Sequence, residues 1–160
     1  MCNKAGRSET FGGELAIEGD VSEALSLFGA VAVVETEFKE FEDADGNAFP
    51  FASPLTVSLG GRYAITPEWS IAVDASYTAA AFQDVENSIE DDSRWLLNAE
   101  LTYENEDGLL VWVYGRNLLD ETYADFRSEF VDQFGVSPGF DNIVRIGEPC
   151  TLGAFVQKTF

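Results

Sequence analysis

Histidine is missing from this 160-residue chain, and with it the commonest acid–base catalyst and the commonest metal ligand. Cysteine is scarce: Cys2 and Cys150 are too few and too far apart for a disulfide framework or a metal cluster. Positive charge is scarce too. Nine Lys plus Arg stand against 29 Asp plus Glu, a formal charge of −20. Such a surface repels phosphate backbones and excludes nucleic acid as a partner. No run of about 18 apolar residues occurs, so no spanning helix is expected. The opening MCNKAGRSET lacks the apolar stretch of a secretory signal, and Cys2 reads as a surface thiol. Neither a Ser–Lys nor a paired-carboxylate motif is clustered anywhere. These absences leave no catalytic residue, metal ligand or cofactor to assign, and the chain is not expected to be an enzyme.

What is present is aromatic and periodic. Thirteen Phe, five Tyr and three Trp exclude a disordered polar tract. Period-two alternation, the mark of a half-buried strand, recurs along the chain. Over Arg94–Glu104, one face carries Trp95, Leu97, Ala99, Leu101 and Tyr103, and the other Arg94, Leu96, Asn98, Glu100 and Thr102. Leu55–Ile65 opposes Leu55, Val57, Leu59, Tyr63 and Ile65 to Thr56, Ser58 and Arg62. Ser70–Ala80 sets Ile71, Val73, Ala75 and Tyr77 against Ser70, Asp74, Ser76 and Thr78. Phe11–Glu18 and Thr151–Phe160 alternate likewise; the latter gathers Leu152, Ala154, Val156 and Phe160 on one face, interrupted by Lys158. Ala24–Phe38 and Leu109–Arg116 are apolar on both faces for part of their length, so periodicity leaves their facing open. No segment reads as a helix. The chain is all-β.

The connections alternate in length. Gly19–Glu23, Thr66–Glu68 and Asn105–Asp107 are tight; Glu40–Ser53, Gln83–Ser93 and Leu118–Gly147 are long. An antiparallel up-and-down sheet gives this rhythm when one rim is trimmed and the other elaborated, as in outer-membrane barrels. Two architectures share the pattern. In a soluble small β-barrel the apolar faces would point inward around a lipophilic ligand; in a membrane barrel they would point outward to lipid. Tyr63, Tyr77, Trp95 and Tyr103 lie near the ends of apolar faces, where membrane-interface aromatics belong. Seven segments make an odd count for a closed bacterial barrel, so the chain is expected to be part of a larger one.

Two stretches sharpen the choice. Val113–Asp125, VYGRNLLDETYAD, resembles the penultimate strand and following loop of TonB-dependent outer-membrane receptors, where an apolar strand closes with Asn-Leu-Phe/Leu-Asp and a Tyr follows. The matching positions are Asn117, Leu118, Leu119, Asp120 and Tyr123. The end, from Gly147-Glu-Pro-Cys150 to Phe160, resembles the family's last strand, with Gly153 and Phe155 inside it and a terminal aromatic at Phe160. Cys150 stands where that family usually has Arg. Gly46 and Phe49–Pro54, leading into a strand with Gly61 and Tyr63, resemble a further recurrent segment.

The resemblance implies a transmembrane β-barrel in the outer membrane of a Gram-negative bacterium, with these residues as roughly the last seven strands of about 22 around a plugged lumen. Residues 1–160 would then be a C-terminal barrel segment, with plug domain and signal peptide before Met1, and would not transport alone. The implied partners are outer-membrane lipid, the rest of the barrel and its plug, TonB through that preceding part, and the barrel-assembly machinery, which would read the Phe160 end. The implied solutes are ferric siderophores, haem, cobalamin or glycans. Loop contacts would fall to Glu42, Asp43, Asp45, Glu90, Asp91 and Asp92, for which a solvated rim is the plainer use. Asp74, Arg62, Glu100 and Arg116 would face the lumen as structural pairs.

Overall fold

The computed structural model describes residues 6–41, 44–128 and 143–159. In chain order the strands are β1 (Ser8–Ser22), β2 (Leu25–Phe38), β3 (Leu55–Ala64), β4 (Trp69–Thr78), β5 (Ala81–Phe82), β6 (Glu90–Asp91), β7 (Arg94–Glu104), β8 (Leu109–Arg116), β9 (Ala124–Ser128), β10 (Ile143–Ile146) and β11 (Thr151–Lys158). Seven of them form one sheet in the order β1-β2-β3-β4-β7-β8-β11, every neighbouring pair antiparallel. Consecutive long strands are always neighbours, so the sheet runs up and down without a crossover, and β1 and β11 are its two edges. No helix occurs among the described residues.

The register settles what alternation left open. Leu15 faces Val31, Val31 faces Val57, Val57 faces Tyr77 and Tyr77 faces Trp95. Farther along, Leu101 faces Val113 and Val113 faces Ala154. Directly opposed residues share a face of the sheet. The apolar set of each strand therefore joins its neighbour's, and one continuous apolar face crosses all seven strands. A slip of one residue at any ladder would break it. In β2 this assigns Leu27, Val31 and Val33 to the apolar face and Phe28, Ala30 and Val34 to the other; in β8 it assigns Val111 and Val113 against Trp112 and Tyr114.

That apolar face is largely uncovered: Leu15, Ile17 and Val156 are each about two-thirds exposed or more. The opposite face carries a belt of polar pairs. Asn98 Nδ2 donates to Asp74 Oδ2 at 2.8 Å, Arg62 lies 3.8 Å from Glu100, and Thr102 Oγ1 donates to Glu100 at 3.0 Å. Toward β8 and β11 it turns aromatic, with Trp112 packed on Phe155 at 5.2 Å between centroids. Tyr114 lies across Gly153, where a Cβ would come within 2.4 Å of the ring.

The structure differs from the sequence expectation in two places. β1 runs from Ser8 through Ser22, absorbing residues 19–22 that read as a turn; a register shift between Asp20 and Ser22 accommodates them, and Ser26 Oγ donates to Asp20 at 2.6 Å. Two of the long connections contain short ribbons of their own, β5 with β6 and β9 with β10. The last strand is described to Thr159, so the expected outward placement of Phe160 lies outside the described residues.

Candidate functional site at the elaborated rim

The three long connections leave the sheet at the same end, opposite the short turns. All four non-glycine residues with positive φ lie there among the described residues: Phe51 (61°), Asn87 (56°), Asn117 (47°) and Asp120 (52°). Asn and Asp reach the left-handed region at little cost because their short polar side chains bond locally.

Asn117 is the tightest knot. It is 3% exposed, and every polar group of its side chain is used. Nδ2 donates to the Glu121 carbonyl at 2.8 Å and the Glu148 carbonyl at 2.9 Å, while Oδ1 accepts from the Glu121 amide at 3.0 Å. Its own amide donates to Asn98 Oδ1 at 3.0 Å. Asp120 completes the clasp by accepting from the Cys150 amide at 3.2 Å. The exit of β8 is thereby fastened to the start of β11. Leu118 anchors through its amide to the Leu97 carbonyl, and Leu119 is exposed.

A second knot forms around Tyr123. The Arg94 guanidinium sits 4.7 Å from the centre of its ring and 3.4 Å from Asp91 Oδ2. Tyr123 also lies flush on Gly147, where a Cβ would meet ring carbons at 2.1 Å, and the Gly147 amide donates to the Tyr123 carbonyl at 2.9 Å. Only glycine fits there. Arg116 pairs with Glu148 at 3.8 Å beside it.

The other two connections are stapled to each other by side-chain amides. Asn87 Oδ1 accepts from the Ala48 amide at 2.8 Å and Nδ2 returns a bond to the Ala48 carbonyl at 3.0 Å, so one carboxamide imitates a strand pairing. Asn47 Nδ2 reaches the Val85 carbonyl at 2.9 Å. Phe51 stacks on Phe126 at 5.9 Å, which ties this pair of connections to β9. Asp84 caps its turn by accepting from Ser88 Oγ at 2.6 Å and from the Ser88 and Ile89 amides. Partial burial pushes its carboxyl up, but the Ser88 hydroxyl and the two amides outweigh that and hold it below the ordinary carboxylate value.

The residues singled out from sequence fall into four sets. Asn117, Asp120 and Tyr123 meet in the rim knots. Gly153 and Phe155 lie on β11, both on the polar-belt face. Tyr63 and Tyr103 stand at the short-turn end of the apolar face and Tyr77 and Trp95 at the elaborated end, the last two packed together at 5.0 Å. The acidic set does not converge: Glu42 and Asp43 lie outside the described residues, and Asp45, Glu90 and Asp92 are exposed. Asp91 departs from its expected role, because it is 5% exposed and turned onto Arg94 rather than outward. Among the described residues no group of three or more His, Cys, Asp or Glu is placed to hold a metal.

Several positions escaped sequence reading. Trp69 packs on Tyr103 at 4.8 Å, matching the Tyr77–Trp95 pair at the other end. Its spacing of eight from Tyr77 was a usable signal, hidden because the preceding Thr-Pro-Glu reads as a turn. Asn87, Arg94 and Asn98 gave none, since their partners lie on other strands or connections. Below the clasp, Asp74, Asn98, Glu100, Arg116, Asn117 and Tyr123 line an open cavity of about 340 Å³ on the polar-belt face.

Comparison with known proteins agrees with this architecture. Residues 2–118 match the family model for the TonB dependent receptor-like β-barrel. The chain is 23% identical over 140 residues to the probable TonB-dependent receptor BfrD of Bordetella pertussis, covering 79% of this chain and 19% of that protein. The ferric yersiniabactin uptake receptor FyuA from Yersinia pestis superposes with a TM-score of 0.83 at 19% identity, over 94% of this chain and 23% of that one. The siderophore receptor PiuA from Acinetobacter baumannii gives 0.79 at 16% identity, over 94% and 22%. The chain thus spans about a fifth of the length of these relatives. The family match removes the soluble ligand-binding barrel from consideration: the chain belongs to the TonB-dependent receptor β-barrel family, whose members are receptors and transporters and not enzymes.

Proposed function

We propose that these residues are the closing strands of an outer-membrane receptor barrel that takes up a scarce extracellular solute, of the ferric siderophore, haem, cobalamin or glycan kind. Ferric siderophores lead that group because FyuA is described as a ferric yersiniabactin uptake receptor and PiuA as a siderophore receptor. The observation that carries the reading is the continuous apolar face bounded by two aromatic pairs, Trp69–Tyr103 and Tyr77–Trp95. Trp69 and Tyr77 are eight residues apart on β4, roughly 26 Å along the strand at about 3.3 Å per residue. A tilt near 40° shortens this to about 20 Å, comparable with the apolar band of about 25 Å in outer-membrane barrels.

In this reading the elaborated rim faces the medium and the short turns face the periplasm. The polar belt of Asp74, Arg62, Asn98 and Glu100 lines the lumen. Lys158, on the apolar face, bonds the Asp107 carbonyl at the short-turn end, so its charge leaves the apolar band. The Asn117–Asp120 clasp holds the last outer connection, and β11 carries the insertion signal ending at Phe160. Backbone groups along β1 and β11 need strand partners in lipid, which the rest of the barrel would supply. Transport would then require that remainder, a plug, and energy through TonB. The acidic residues of the outer connections keep that rim solvated.

The test is fractionation of the native product with an antibody to residues 118–147. A heat-modifiable species in the outer-membrane fraction, several times heavier than this chain and required for growth on one ferric source, is the expected result. A water-soluble species of this chain's own size would overturn the reading.

A further inference from the structure

We propose that Asn98 is a positioning residue through which the lumen-side carboxylate of Asp74 sets the Asn117 clasp between the exit of β8 and the start of β11. The three residues form one hydrogen-bonded line across β4, β7 and the exit of β8. Asp74 and Asn98 are directly opposed in the ladder, and Asn98 Nδ2 donates to Asp74 Oδ2 at 2.8 Å. That bond fixes the carboxamide so that its oxygen meets the Asn117 amide at 3.0 Å. A carboxamide presents a donor on one side and an acceptor on the other. Released from Asp74, it can turn over and set its NH₂ against the Asn117 N–H, donor against donor.

Asn117 has little recourse if that happens. It is buried and held at a φ of 47°, and its side chain is committed to Glu121 and Glu148. Among the described residues, Asn98 is the only hydrogen-bonding or charged partner of Asp74. Asp74, Asn98 and Asn117 all border the open cavity of about 340 Å³, so the line is reachable from the lumen side. The mid-wall of the barrel and an outer connection are thereby joined by two hydrogen bonds. The functional meaning rests on the receptor reading above; the geometry does not.

The test is amide hydrogen exchange on the native product purified from whichever fraction holds it, with protection of the β3–β4 ladder amides confirming the fold of each variant. Asp74→Ala is expected to speed exchange of the Asn117 and Glu121 amides about tenfold or more. Asp74→Asn, which keeps an accepting oxygen, stays within about twofold of the parent. Ser76→Ala, on the same face one step along β4, leaves both amides unchanged. Asn98→Asp removes the donor and faces two carboxylates, so exchange rises; adding Asp74→Asn swaps donor and acceptor and restores slow exchange. Unchanged exchange in Asp74→Ala, or a double variant no slower than Asn98→Asp alone, would overturn the proposal. Exchange is read whether or not the protein transports, so this result and the fractionation above fail independently.

Discussion

Replacing Asn117 offers a quantitative test of the rim clasp. Alanine there removes the three side-chain hydrogen bonds to Glu121 and Glu148. Each is worth about 1 kcal/mol net, and less for the Glu148 carbonyl, which water can reach. Alanine must also adopt a φ of 47°, costing about 1 kcal/mol more. The clasp should therefore loosen by about 3 kcal/mol, on the order of 100-fold in its opening equilibrium. Glycine loses the same bonds without the backbone strain, so Asn117→Gly should loosen it by about 2 kcal/mol, roughly 30-fold. This inverts the usual order, in which alanine is the less disruptive replacement. Limited proteolysis of the detergent-purified receptor, scored at the 121–147 connection, reads the opening equilibrium directly when reclosing outpaces cleavage. An alanine variant cut no faster than the glycine variant would refute the argument, because it would show that the left-handed conformation carries no cost.

Other outcomes follow from the same geometry. Val73→Arg, at mid-strand on the apolar face, should cost about 2–4 kcal/mol in a bilayer, while Ser76→Arg on the polar-belt face should cost far less, read as denaturation midpoints in phospholipid vesicles. Equal losses would mean the faces are assigned wrongly. Gly153→Val drives a side chain into the Tyr114 ring and should destabilise the barrel by about 1–3 kcal/mol, with Tyr114→Ala recovering part of it in the double variant. For Asp84, the folded carboxyl lies below its unfolded value, so its stabilisation is present above the ordinary carboxylate range and is lost as pH falls through the folded value. Exchange protection of the Ser88 and Ile89 amides should fade in that acidic window and lose this pH dependence in Asp84→Asn.

The clearest alternation in the sequence, Arg94–Glu104, keeps its expected bounds as β7, and Leu109–Arg116, whose facing periodicity left open, keeps its own as β8. A strand with one apolar and one polar face carries its own boundary signal, since the pattern stops where burial stops. The turn chemistry of residues 19–22 misled because Gly and Asp favour turns locally, whereas the ladder with β2 offers those backbone groups partners that no local sequence reveals. β9 and β10 escaped for a related reason: each is too short to show a period and is defined by the other.

Sequence by itself determined that this is an all-β chain with one short-turn rim and one elaborated rim, and its two terminal motifs pointed to the family. Those properties are local: alternation, turn residues and short motifs are written in consecutive positions. Which face of β2 or β8 joins the apolar band, and that Asn98 reaches both Asp74 and Asn117, were decided only by the register between strands. Each of those facts concerns groups far apart in the chain, brought to hydrogen-bonding distance by pairing energies that no single segment contains.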